Sequence, residues 1–329
     1  MRNHSCRVHF ATLRGVPAVV LENELLRITV LLHGGHVVEF NHKPRDLDYV
    51  WLSPRGGWPV PPSDDFFDTY PGGWQEVLPN GGAPAAYRGA AMAQHGEAAG
   101  LPWDCAVVAN DPAEVAVRLT VRTRRMPYRV SKVLRLRSGV ARLEAAETLT
   151  NESAVAVHAM WGQHFAYGAP FLVPGARIAL PPGITVIPHE TTLNPPRRAV
   201  AAGGPYPWPV VPTPDGGSVD LSVVPAPGSP SDVLYLTGFT EGWYELRRPD
   251  AGPGVRVEWD AAVLPYLWMW HEFGDTTDYP WWGQAYVAGL EPFSSYPTNG
   301  LPDAVANGTA LSLPPSSSKE LTWAVEVLP

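Results

Sequence analysis

Glu114-Val-Ala-Val-Arg-Leu-Thr-Val-Arg122 and Val130-Ser-Lys-Val-Leu-Arg-Leu-Arg137 decide the fold class, because apolar and polar residues alternate along both. A period of two puts successive side chains on opposite faces of a strand. Charge alternating with Val and Leu marks an antiparallel sheet with one wet and one buried face. The pattern continues through Ala141-Arg-Leu-Glu-Ala-Ala-Glu-Thr-Leu-Thr150, and Ser138-Gly139 reads as the hairpin turn between the last two strands. Arg27–Leu32, Val233–Thr237, Trp243–Arg247, Val255–Trp259 and Glu320–Val327 repeat it. In the last of these Leu321, Trp323, Val325 and Val327 share a face. No stretch of ten residues keeps a helical period, so the chain is expected to be all-β with little helix.

The 329 residues carry 31 Gly and 37 Pro, as many short strands joined by many turns require. Hydrophobic content of 45% against 17% charged provides for a substantial core. Pro- and Gly-rich stretches at 53–62, 181–183, 195–217 and 225–231 are each followed by renewed strand pattern. They read as loops over one body, so residues 1–329 are expected to form a single domain. Of these loops 195–217 is expected to be the least structured and to be a candidate cover for a site.

A net charge of −8 argues against nucleic acid as a partner. The first ten residues lack an apolar signal core and no apolar run approaches the ~20 residues of a membrane span. The expectation is a soluble, cytoplasmic protein that does not engage membranes. Two cysteines, Cys6 and Cys105, are too few for a disulfide framework or a thiolate zinc site.

The stretch Gly289-Leu-Glu-Pro-Phe-Ser-Ser-Tyr-Pro297 holds one carboxylate, Glu291, behind Trp268, Trp270, Trp281 and Trp282. Desolvation among indoles raises a carboxylate's proton affinity toward the range of a general base. Indole faces also suit the C–H faces of sugars. Two histidine segments accompany it: Ala93-Gln-His-Gly-Glu97, and Trp161-Gly-Gln-His-Phe-Ala-Tyr-Gly168 after Glu147-Thr-Leu-Thr-Asn151. On a strand, His164 would face away from Trp161, Gln163 and Phe165. His95 and Glu97 would share a face, yet no third metal ligand follows at a suitable spacing. No P-loop, G-x-S-x-G or G-x-G-x-x-G is present.

The order of these segments resembles the aldose 1-epimerase (galactose mutarotase-like) family. The match runs from a first hairpin in Val20–Gly35, through a His-Gly after Pro79-Asn-Gly81, to a second His before Phe and a late Glu in Leu290-Glu-Pro292. It covers roughly residues 18 to 328. The resemblance implies a galactose-mutarotase-like antiparallel β-sandwich (a supersandwich) that interconverts α and β anomers without cofactor or metal. Its partner would be a monosaccharide or sugar derivative. It further implies Glu291 as the base, His164 as the acid and His95 as a support for the ring oxygen.

Glu76, Asn80 and Arg88 fall in or near the family's segment leading to the site, where they would either bind sugar hydroxyls or belong to a solvated loop. Asp232 stands where the family often has a substrate-binding Asp, and is otherwise a loop acid. Trp270 and His271 would line the pocket or fill the core. Two departures leave the sugar open: the family's Asn-Arg pair is Asn80-Gly81 here, and the sequence around His164 differs from the family's. The resemblance does not separate an enzyme from a catalytically silent carbohydrate-binding or sensor protein on the same fold.

Overall fold

The structure is a computed structural model that describes residues 5–55, 65–193, 197–249 and 252–329. The two strands that set the fold class lie side by side. Glu114–Arg122 pairs antiparallel with Tyr128–Arg137, which pairs in turn with Arg142–Asn151. The turn between the latter two has Gly139 at φ 74°, a conformation that suits glycine. These three belong to an eight-stranded sheet ordered Arg177–Ala179, Gly242–Arg247, Gly254–Trp259, Ser318–Leu328, Arg142–Asn151, Tyr128–Arg137, Glu114–Arg122 and Asp104–Asn110.

A second sheet packs against its buried face. Its order is Tyr206–Pro207, Thr185–Pro188, Asp232–Thr237, Tyr266–Phe273, Tyr286–Phe293, Gly162–His164 and Gln75–Val77, with Ala166–Tyr167 also paired to Tyr286–Phe293. Contacts across the sandwich include Phe165 edge-on to Trp323 at 5.3 Å and the Tyr167–Tyr244 hydroxyl pair at 2.7 Å. A five-stranded sheet built from Arg7–Leu13 to Leu47–Asp48 joins the same apolar core, which reaches from Cys6 to Val325. The α-helices among the described residues are Phe66–Thr69 and Leu301–Ala306. None is long and apolar enough to cross a membrane. Cys6 and Cys105 are free thiols.

The 195–217 stretch differs from expectation. Among its described residues, Tyr206–Pro207 extends the second sheet and Val210–Pro212 forms a hairpin with Ser218–Asp220. Prolines, which donate no ladder hydrogen bond, sit here in short peripheral strands where they are tolerated, so their density concealed the pairing. Most of the 53–62 loop, and residues 195 and 196, lie outside the described residues.

The interior is not wholly apolar. Lys132 Nζ bonds to Glu76 Oε2 and lies 3.2 Å from Glu147 Oε1, with all three side chains buried. Gln163 joins them, accepting from Lys132 and donating to Glu147 at 3.3 Å each, while Trp161 Nε1 donates to Glu76 and Trp323 Nε1 to Glu147. Burial opposes the Lys132 ammonium, but the two carboxylates outweigh it and its pKa is raised. Two carboxylates facing one cation cannot both ionise cheaply. Burial and the neighbouring Glu76 push Glu147 up to about 8.

Candidate active site

Glu291 lies on Tyr286–Phe293, directly opposite Trp268 on the neighbouring strand, and Gly289 lies opposite Trp270. Opposed residues of an antiparallel pair share a face, so the carboxylate and both indoles emerge together. That face is turned away from the sandwich interior. A Cβ at Gly289 would stand 2.5 Å from Glu291 Oε1 and 3.1 Å from the Trp270 ring, so the glycine vacates the volume the carboxylate needs.

His164 reaches the same face from Gly162–His164, which pairs with Gln75–Val77 and, through Gly162, with Phe293. The expected alternation holds here: Gln163 and Trp161 bond to the interior charges and Phe165 packs on Trp323. His164 Nε2 lies 3.3 Å from Glu291 Oε1. On the other side, Nδ1 is 3.5 Å from the Tyr70 hydroxyl, which itself donates to Gly73 O at 3.2 Å. With its proton on Gly73, the Tyr70 oxygen accepts from Nδ1–H, which leaves Nε2 free to exchange a proton with Glu291.

His95 arrives from a loop. Gly82 N donates to His95 Nδ1 at 3.2 Å, so Nε2 carries the proton of the neutral ring. Gly82 has φ 76° and His95 itself φ 58°. The left-handed turn at His95-Gly96 removes Glu97 from the face it was expected to share. Glu97 instead accepts from the backbone N–H groups of Arg124, Arg125 and Met126. The two imidazole rings stand 5.7 Å apart, and Phe66 packs edge-on against His95 at 4.6 Å. Phe66 and Tyr70 stack across one turn of the short helix, whose start Asp65 caps by accepting from Phe67 N.

The cavity between these elements measures about 260 Å³, small for a drug-sized ligand. Burial pushes Glu291 well above the usual carboxylate range. Burial, reinforced by His95, holds His164 well below the ordinary imidazole value, and burial lowers His95 to about 4. The desolvated pair therefore resists gaining a net charge of either sign.

Of the residues singled out from sequence, Glu291, His164, His95, Trp268, Trp270 and Trp281 line this cavity. Glu76, Asn80, Arg88 and Asp232 do not. Glu76 pairs with Gln163 and shares its interior direction, where Lys132 and Trp161 hold it. Asn80 is buried behind the wall, accepting from Leu301 N and donating to Ala83 O and Ala93 O. Arg88 sits exposed in the turn after Ala85–Tyr87, donating to Ala156 O with its guanidinium over the Tyr87 ring. Asp232 pairs with His271 on the far face, where it accepts from the backbone N–H groups of Ala199, Val200 and Val233; its neighbour Val233 is the one at the cavity. His271 is buried on that far face as well, and burial lowers it to about 4. Trp281 lines the cavity, whereas Trp282 is 54% exposed.

Sequence reasoning missed Tyr70, Phe66, Phe67, Gln94 and Thr298 at the cavity. The one available signal was Phe66 and Tyr70 at i and i+4, a spacing that stacks rings on a helix.

Comparison with known proteins settles the family. A family model described as "Domain of unknown function (DUF4432)" matches residues 13–327. The chain belongs to this family. Among curated proteins no significant match is found. Solved structures resemble the DUF4432 chain along almost its whole length. A candidate aldose 1-epimerase of Klebsiella pneumoniae superposes with TM-score 0.72 at 17% identity, over 95% of this chain and 80% of its own. A candidate aldose 1-epimerase of Escherichia coli K12 gives 0.64 at 16% identity, over 97% and 99%. A galactose mutarotase-like protein of Lactobacillus casei gives 0.57 at 17% identity, over 94% and 99%. At these identities the likeness is one of fold. The DUF4432 chain has the galactose-mutarotase-like all-β architecture that its sequence resembled.

Proposed function

We propose that the protein is a mutarotase that interconverts the α and β anomers of an aldose or aldose derivative, with Glu291 and His164 as its acid–base pair. The observation that carries this reading is the 3.3 Å contact between His164 Nε2 and Glu291 Oε1 inside an aromatic cavity.

The pair holds one proton between its two groups. With the proton on His164, the Glu291 carboxylate takes the proton of the C1 hydroxyl while His164 protonates the ring oxygen. The C1–O5 bond then breaks and an open-chain aldehyde forms. Rotation about C1–C2 presents the other face of the carbonyl. The reverse transfers close the ring as the opposite anomer and return the proton to His164. The pair carries one proton before and after, so the cycle requires no net exchange with solvent. His95 Nε2–H is a donor for the ring oxygen as charge shifts there, and the indoles support the C–H face of the ring.

NMR exchange spectroscopy on an aldose panel tests this. The wild type should accelerate anomer exchange, and Glu291→Gln should abolish it while sugar binding persists. General acid–base groups each contribute ~10²–10⁴-fold, so His164→Ala should lose activity on that scale. A wild type no faster than Glu291→Gln would make the protein a sugar binder rather than an enzyme.

A further inference from the structure

Resting on the mutarotase reading, we infer that the substrate is an uncharged deoxy aldose, one with CH₂ or CH₃ where a common aldose carries a hydroxyl. Six aromatic rings line the cavity: Phe66, Phe67, Tyr70, Trp268, Trp270 and Trp281. Against them stand few side chains, among the described residues, able to receive a hydroxyl proton. An aldohexose ring has four hydroxyls besides the anomeric one, and each O–H needs an acceptor. Indole N–H groups and His95 Nε2–H only donate. Glu291 is engaged by the C1 hydroxyl, and the Tyr70 oxygen by His164 Nδ1. Gln94 and Thr298 are the acceptor side chains left among the described lining residues. A buried hydroxyl without a partner costs about 1–3 kcal/mol, whereas a methyl or methylene in its place gains from the aromatic wall.

Charge is disfavoured for a separate reason. No Lys or Arg lines the cavity among the described residues. Arg55 is bound to Pro280 O, Arg197 to Asp275, and Arg198 to Val200 O and His189 O. A phosphate or uronate would bring its charge into an aromatic cavity whose described lining offers no Lys or Arg to meet it.

The test compares 6-deoxygalactose and 2-deoxyribose with galactose, ribose, galactose 6-phosphate and galacturonate. Anomer exchange is measured with the wild type, and binding by tryptophan fluorescence with Glu291→Gln. At least one deoxy sugar should exceed its parent by ~10-fold or more in both measurements, with the two anions weakest. Equal or better use of a parent sugar or an anion overturns the substrate class and leaves the mutarotase reading intact. Preferential binding of a deoxy sugar without accelerated exchange overturns the reaction and upholds the class. Binding of none of the six overturns both.

Discussion

Glu291 folds its carboxylate into the space that Gly289, two residues back on the same strand face, leaves open. The acid and the absence of a side chain beneath it form one device. Gly289→Ala would drive a methyl against the carboxylate and the Trp270 ring, and the carboxylate is the part free to turn. Anomer exchange should fall by ~10²-fold or more, the scale of a displaced general base, while the fold loses about 1–3 kcal/mol to overpacking. Exchange rates and denaturant unfolding measured on the same preparation separate the two effects.

Holding Glu291 protonated has a signature in stability. Its folded pKa is raised above the unfolded value near 4.3, so stability is lost as pH climbs from that value toward the folded one. Glu291→Gln removes this loss. Its Tm should exceed that of wild type at pH 7, and the difference should shrink below about pH 4, where both forms are uncharged. His164 works in the opposite sense. Its lowered pKa removes stability as pH falls below about 6.5, so His164→Gln should unfold at a lower pH than wild type.

The same shifts set the pH–rate profile. Catalysis requires one proton on the pair, a second proton is resisted by the lowered His164, and loss of the only one is resisted by the raised Glu291. The plot of kcat/KM should therefore be flat across neutrality, with its acid limb below the ordinary imidazole value. A bell centred on two ordinary pKa values would count against the pair acting as a unit.

Lys132→Met removes the cation between Glu76 and Glu147 and leaves two carboxylates facing each other in the core. Loss of one partner from such a cluster costs about 3–5 kcal/mol. Unfolding free energies of wild type and variant from denaturant titrations should differ by that amount at pH 8. They should converge toward pH 5, where protonation of the carboxylates relieves the repulsion.

Strand alternation made the fold legible, because Val115, Val117, Leu119 and Val121 face the core as their spacing requires. Glu291 and His164 were legible through the order of their motifs. What failed was direction. Asp232 and Val233 are neighbours in sequence, and only the register with Trp270 and His271 tells which one meets the cavity. Glu76 is likewise decided by its pairing with Gln163, a relation between strands almost ninety residues apart. Tyr70 escaped because the helix it closes, Phe66–Thr69, is a single turn, too short to show a period.

The short strand Gly162–His164 presents an amide to the interior and an imidazole to the cavity from adjacent positions. Sliding it by one residue against its neighbours would exchange the two, taking Gln163 away from Lys132 and Glu147 and pushing His164 among them. The interior charges thus act as a key in a lock: they accept one alignment of three residues and reject the next. A wholly apolar interior would leave either side chain without a partner and penalise both alike. The ions behind the sheet thereby guarantee which ring faces Glu291, although they never meet a ligand.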